Sequence, residues 1–542
     1  MKWLLTSIVT LFVCMLSYAQ QEFHVFPENH NETPGTPEGT GSINKPWDLQ
    51  TALNQTSDNV GSGDTIWIHE GIYNGRYKSR LKSLEPNQYI TVSAFKNDKV
   101  ILNGNVPVKQ NSVLEVVSTR VIYKNFEVTW LGEFSRDQKD ADFEFCFGIE
   151  HLTGENCRFY NIIIHNNPGL GIGSWKNTAG TIIENCIIYN NGFMAKEGVG
   201  RGEGIYVQNK SEETRLIKNN IIFNNYYKAI EVWSAGKRAN FQFVKNVTLE
   251  GNILFNSGSP SGVFRDNVIV ASNDQNGINI ANNITLLNNI LYHNTHNENG
   301  KRIGEAPSLT LGFNKHAPVK DITVKGNVIV GGYNALRLSI AESLNFTDNT
   351  IYGAVQVGPN TSGYLENWNF NSNTFYTKLK TPFRVSRGKK YSLEAWQKTF
   401  QLDKNSALID NSNLNLNRVL HISRHHQNAH KYNVALFSSD GNDVVVDFSK
   451  PNLKAGLNYK IYDVENLEVI LQTGTLSEDL KIVFPMQLTA FEKPLHNSIA
   501  KKTLSNFGVF VIEFEDQRKV QVSEDNEDQP NVLERFFSWL GF

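Results

Sequence analysis

Between Asn125 and Asn373 one short phrase recurs nine times: an Asn followed by two or three mostly apolar residues that end in an aromatic residue or a valine. Asn161-Ile-Ile-Ile, Asn220-Ile-Ile-Phe, Asn252-Ile-Leu-Phe, Asn289-Ile-Leu-Tyr, Asn327-Val-Ile-Val and Asn349-Thr-Ile-Tyr are six of them. Asn125, Asn267 and Asn373 open the rest, and Cys186-Ile-Ile-Tyr fits with Cys in place of Asn; successive phrases lie 15 to 38 residues apart. A β-branched apolar run this short, returning at this period, predicts a solenoid in which each coil buries its face only against its neighbours. Asn suits the sharp coil corners because it tolerates left-handed backbone and bonds to nearby peptide groups. Stacked Asn side chains can also bond one another in ladders. The step from Asn252 to Asn267 is too short for a full coil, so one of those two reads as a loop coincidence.

Second strands lie between the phrases and align with one another: residues 171–175, 204–208, 229–233, 277–281, 308–312 and 335–339. Alternation turns Ile205, Val207, Ile230, Val232, Ile278, Ile280, Leu309, Leu311, Leu336 and Leu338 inward and leaves the rest on one outer face. One outward column reads Gly173, Tyr206, Glu231, Asn279, Thr310, Arg337. The next reads Trp175, Gln208, Trp233, Ala281, Gly312, Ser339. Glu203 and Lys228 occupy matching positions just before their strands. Strict alternation would turn both inward, so they reach the outer face only if that position already belongs to the turn.

Residues 1–19 read as a signal peptide: Lys2 is the positive end, residues 4–16 the apolar centre, and Ser17-Tyr18-Ala19 a small-x-small cleavage site. Residues 20–400 are then the solenoid. An amphipathic helix within 46–53 is placed to cap its open first end, where an exposed edge would invite pairing with other chains. In 416–516 six strand candidates, 432–437, 443–448, 459–463, 467–471, 481–484 and 509–514, have the spacing of a small antiparallel β-sandwich. Residues 517–542 read as an acidic tail with an amphipathic aromatic end.

The 542 residues carry a formal net charge of -2, and nothing in that balance suggests nucleic acid as a partner. Without Cys14 of the signal, Cys146, Cys157 and Cys186 remain, an odd and sparse set that reads as core packing rather than a disulfide framework. No later apolar run approaches the ~20 residues of a membrane-spanning helix. The expectation is a monomer that is secreted, periplasmic or on the outer cell surface.

The coil pattern, with the opening strand Gly63-Asp-Thr-Ile-Trp-Ile-His-Glu-Gly-Ile-Tyr73, resembles the pectate-lyase-like superfamily over roughly residues 22 to 380. The resemblance implies an all-β chain: a right-handed parallel β-helix, here followed by the C-terminal antiparallel β-sandwich. Such folds host polysaccharide lyases, glycoside hydrolases, epimerases, esterases and non-catalytic adhesins, so the reaction rests on the site. The stretch Gly200-Arg-Gly-Glu-Gly-Ile-Tyr-Val-Gln-Asn209 resembles one common in bacterial members, which usually has His at the position of Glu203 and often His at that of Glu231. Both departures add carboxylates and put histidine-based chemistry in doubt.

Two tryptophans, a tyrosine, two glutamates, a lysine and an arginine on one face are unusual for a merely solvated surface. Convergent polar groups on an apolar floor are the usual pattern of a ligand site. Two carboxylates are the minimum for ordinary glycoside hydrolysis. One coil and three residues separate Glu203 from Glu231, a Cα distance of about 11 Å. Side chains leaning together could approach the ~6.5–9.5 Å of an inverting pair. The competing arrangement pairs Glu203 with Lys228 as a surface ion pair and bonds Glu231 to Tyr206. A lyase instead needs a base and a cation beside a uronate, for which Lys228, Tyr206, Arg201 and Arg337 are available. Asp137, Asp140, Asp142 and Glu144 match no known calcium loop. They read as a solvated acidic loop, which leaves Ca2+ as the one cofactor still open and no metal ligand assigned.

These readings converge on an exported enzyme that cleaves a polysaccharide, acidic or sulfated, in a groove on the β-helix. Glycoside hydrolysis leads, with Glu203, Glu231, Lys228 and Tyr206 as catalytic candidates. Trp175, Trp233, Gln208, Arg201, Asn279 and Arg337 are the substrate-binding candidates. The alternatives are β-elimination on a uronate polymer and a non-catalytic surface protein that binds glycans through its aromatic residues.

Overall fold

The computed structural model describes residues 20–515 apart from 295–296, 299–300, 303–305, 362, 386–387, 411–418 and 452. Residues 1–19, read as a signal peptide, and 517–542, read as an acidic tail, lie outside the described residues. The chain divides into two compact units, one running to Leu414 and taking in Lys493–Lys501, the other formed by Asn415–Glu492 and the chain from Lys502 onward.

Each coil of the first unit contributes a strand to each of three faces. In one coil these are Ile182–Glu184, Ile187–Tyr189 and Ile205–Val207. Each pairs in parallel with its equivalent in the next coil, Ile182 with Leu216, Ile187 with Ile221 and Ile205 with Ile230. The first face is a sheet of 12 strands, from Glu22–Val25 to Trp368–Asn371. The second and third faces join into one sheet of 22 strands, because Val328–Leu338 and Thr350–Val357 each run through a corner from one face to the other. This is the parallel β-helix that the recurring phrases predict.

Like residues stack on like, and this makes the core continuous. Along the second face Ile164, Ile188, Ile222, Leu254, Leu291 and Ile329 register one on the next, all of them fully buried. The phrase-opening Asn residues form a ladder beside them. Asn220 donates to Asn252, Asn252 to Asn289 and Asn289 to Asn327, each at 2.9 Å, and Asn327 donates to Asn349 at 3.0 Å. Each accepting carbonyl also takes a backbone N–H of the preceding coil, such as Asn220 N to Asn252 Oδ1 at 3.0 Å. An amide suits this position because both ends of the side chain are satisfied without charge. The left-handed corner falls one residue earlier than expected for most coils, at Asn185, Asn219, Gly251, Asn288, Gly326, Asp348 and Ser372. Only in the early coils do Asn125 and Asn161 themselves take positive φ, 66° and 50°.

Asn267 is the coincidence among the phrases. It opens the third-face strand Val268–Ser272, and its amide bonds Ser257, Tyr292 and Ser308 rather than the ladder. The assignment of 277–281 to that face is corrected accordingly. Val268–Ser272 pairs with Ile230–Ser234 and Leu309–Leu311, while 275–279 form a bend in which Ile278 is 44% exposed. Short apolar runs do not reveal which of two neighbours enters the sheet when both alternate.

Leu49–Leu53 is the N-terminal helix; Asp48 caps it by accepting from Thr51 N at 2.9 Å. Cys146, Cys157 and Cys186 are free and buried, and burial pushes the thiols of Cys157 and Cys186 up to about 12. The second unit holds a five-stranded antiparallel sheet and a two-stranded one that share a core of Val434, Val444, Ile461, Ile482, Phe484 and Phe510. Its strand Gln472–Thr475 follows the expected run 467–471, where Val469 and Ile470 face solvent, and Val419–Arg424 adds a strand that the pattern did not mark.

Candidate active site

The outer face of the third sheet carries one column set by strand register. It reads Lys78, Glu115, Glu150, Gly173, Tyr206, Glu231, Ile269, Thr310, Arg337, Gln356 and Arg384. Ile269 stands where Asn279 was expected. Asn279 itself is buried in the bend, where its Oδ1 accepts from Phe243 N at 2.7 Å, so the fold does not bring it to this face. Ala271, not Ala281, is the partner of Trp233 in the neighbouring column.

Glu203 and Lys228 sit just before Ile205–Val207 and Ile230–Ser234, outside the strands. The condition for both to reach the outer face is therefore met. The fold brings Glu203, Lys228 and Glu231 into one cluster, with 8%, 6% and 3% of each residue exposed. Lys228 Nζ donates to Glu231 Oε1 at 2.5 Å, not to Glu203 as in the competing arrangement. The same ammonium lies 3.8 Å from the centre of the Tyr227 ring. Arg201 and Arg265 approach that ring too, at 5.5 and 5.6 Å, so three cations surround one aromatic face.

Burial pushes Glu203 up to about 8; the neighbouring Glu231 carboxylate adds to the rise, and Lys228 only partly offsets it. At neutral pH Glu203 therefore holds its proton. Burial opposes the charge of Lys228, yet Glu231, Tyr227 and Asp266 carry its pKa above the ordinary lysine value. Burial, then Glu231 and Glu203, keeps the Tyr206 hydroxyl protonated. The cluster thus pairs a neutral acid with an ion-paired glutamate, the split that separates acid from base when two carboxyls share a site.

Aromatic rings border this cluster. Trp175 and Tyr206 meet at 5.2 Å with planes at 44°, and the Trp175 indole donates to Glu150 Oε1 at 3.2 Å. Burial raises the Glu150 pKa, although that hydrogen bond opposes the rise. Gln208 Nε2 donates to Trp233 O at 3.2 Å and, at 3.5 Å, to the Tyr206 hydroxyl. Trp233 meets Phe313 edge-on at 5.1 Å, and Phe313 is 58% exposed. Arg201 also pairs with Glu197 at 3.0 Å, and Arg337 lies half-buried further along the column.

Sequence reasoning missed Tyr227, Arg265, Asp266 and Phe313. Asp266 takes, one coil on, the pre-strand position of Glu203 and Lys228, so that row reads acid, base, acid. It accepts from Thr310 Oγ1 at 2.8 Å. Aligning 268–270 in place of 277–281 would have revealed it. The acidic run does not gather: Glu144 pairs with Arg76 at 2.6 Å, Asp140 accepts from Ser135 Oγ at 2.6 Å, and Asp137 accepts from Lys139 N at 2.9 Å. Among the described residues no three His, Cys, Asp or Glu side chains are grouped as metal ligands.

Residues 88–258 match a family model described as right handed beta helix region, and the fold is the right-handed parallel β-helix that the pectate-lyase-like resemblance implied. No curated relative matches the chain. Among solved structures it is similar to the pectate lyase Pel9A, with 15% identity, 68% of this chain and 79% of that chain covered and a TM-score of 0.40. It is also similar to the GH136 lacto-N-biosidase from Eubacterium ramulus, with 11% identity, coverages of 75% and 70% and a TM-score of 0.42. An alginate lyase from Paenibacillus sp. str. FPU-7 aligns with 15% identity, coverages of 63% and 95% and a TM-score of 0.36. Likenesses at this level say nothing about the reaction.

Proposed function

We propose that the protein is an exported glycoside hydrolase that cleaves a polysaccharide across the outer third face. The observation that carries this reading is the different setting of two neighbouring buried carboxyls, Glu231 paired with Lys228 and Glu203 outside that ion pair. Glu203, whose pKa burial raises to about 8, serves as general acid to the leaving oxygen, and Glu231, paired with Lys228, activates water or meets the developing positive charge. Trp175 and Tyr206 present ring surface on which a sugar stacks, and Trp233 with Phe313 extends that surface along the next coils. The cations around Tyr227 favour a substrate bearing carboxylate or sulfate groups.

That cationic group is also what supports β-elimination as the second reading, since it would neutralise a uronate. The base is the weak point there: Lys228 is held charged and Tyr206 protonated. Incubation with a polysaccharide panel separates the two. New reducing ends without ultraviolet-absorbing unsaturated sugars support hydrolysis, whereas unsaturated ends would replace it with elimination. Binding without product on every substrate would leave a non-catalytic glycan binder.

A further inference from the structure

Lys493–Lys501 leaves the second unit and is part of the first. Its tip is built into the β-helix by side chains that nothing above uses. Arg136 is buried, and its guanidinium donates to the carbonyls of Asn167, Gly192 and Asn190, to Asn166 Oδ1 and, at 3.1 Å, to Leu495 O. Leu495 N returns a bond to Asn166 Oδ1 at 2.9 Å. Asn497 is fully used: its Nδ2 donates to the Tyr226 hydroxyl at 2.6 Å and to Pro260 O at 2.7 Å, while its Oδ1 accepts from the amides of Ile499 and Ala500. Tyr226 is fully buried and lies under the Arg136 guanidinium at 5.2 Å.

Tyr226 begins the turn that carries Tyr227 and Lys228. The backbone of that turn bonds the preceding coil through Tyr226 N to Asn191 O, Tyr227 N to Gly202 O and Gly204 N to Lys228 O. The side chain of Tyr226 ties the turn to the strap. Within the second unit both ends of the strap meet one residue. Glu492 N donates to Glu465 O at 2.7 Å, and Lys502 Nζ donates to Glu465 Oε2 at 2.6 Å. The two flanks of the loop are thus held together at Glu465, which reduces the entropy lost on ordering it.

We propose that the 495–497 strap, through Asn497 and Tyr226, is a positioning element that sets turn 226–228 and so holds Lys228 against Glu231. The inference deepens the reading of this cluster as catalytic and rests on it. Asn497 and Tyr226 touch no reacting group; they act through Lys228.

The test uses the full chain with Asn497→Ala and, as the smallest deletion, Tyr226→Phe. Hydrogen exchange of a peptide spanning 224–230 is read beside kcat, KM and the pH profile. Exchange in that turn rises in both variants, kcat falls about tenfold with KM within about twofold, and the basic limb of the pH profile moves to higher pH, because a displaced Lys228 ammonium no longer holds the Glu203 pKa down. Unchanged exchange in the turn with unchanged kcat in the Tyr226→Phe variant overturns the proposal, even if Asn497→Ala fails to fold. If Glu203→Gln and Glu231→Gln both keep full activity, the catalytic reading fails, and the exchange of the turn still decides whether the strap positions it.

Discussion

Two buried clusters in this protein each set one lysine between two carboxyls, and they are built differently. In the second unit Lys502 donates to Asp463 at 2.5 Å and to Glu465 at 2.6 Å, while Glu465 also accepts from Thr503 N and Asp463 from Glu465 N. Every group there has its partner. In the β-helix Lys228 bonds Glu231 alone, and Glu203 stays neutral beside the pair on the edge of an aromatic surface. A closed ion network holds a fold together, whereas a carboxyl left with a proton and no partner side chain is poised for chemistry. Burial by itself does not tell the two apart; the hydrogen-bond account does.

The largest effect that would break this comparison is on activity. Glu231→Gln removes the charged member of the pair, and the turnover of whichever substrate the panel identifies falls by about 10²- to 10⁴-fold, measured as reducing ends per minute. Full activity in that variant would make the β-helix cluster as structural as the other. Lys502→Met strands two buried carboxyls in the second unit and lowers its unfolding free energy by about 3–5 kcal/mol in urea titration. A loss below ~1 kcal/mol would show that this network is a surface-like pair.

The pH dependence sharpens the contrast. Above a pH of about 8 Glu203 loses its proton, so activity drops about tenfold for each further unit. The same shift acts on stability with a definite sign. The raised pKa of Glu203 contributes stability that is fully present below the ordinary glutamate range and is lost as pH rises through about 8. Glu203→Gln removes that loss, so the variant melts above the wild type at pH 9, and its advantage disappears in mild acid. A wild type that is the more stable at pH 9 contradicts a protonated Glu203. The smallest effect concerns the aromatic surface. Phe313→Ala removes an exposed ring that meets Trp233 only edge-on, weakening polysaccharide affinity by about 1 kcal/mol in calorimetry. An unchanged affinity would end the sugar surface at Tyr206.

How much of this was legible in the chain depends on what each residue's role requires. The core strands were legible because like residues must stack on like in a coil, so Ile188, Ile222 and Leu254 announce one another. The ladder was legible too, although the left-handed corner sits one residue before most of its Asn members. Asn279 was misplaced because 277–281 and 267–271 alternate equally well, and only the hydrogen bonding of Val268–Ser272 to its neighbours breaks the tie. That slip hid Asp266, the third charged residue of the row.

The periodic sequence by itself determined the coil, two of its strand sets and the outward position of Tyr206 and Glu231, because local alternation and repeat length are properties of the chain. Tertiary structure alone decided that Lys228 joins Glu231 and not Glu203, that Glu203 keeps its proton, and that Asn497 reaches Tyr226 from a distance of 271 residues. Those outcomes depend on burial and on partners from other coils and the distant strap, and no short stretch of sequence carries either.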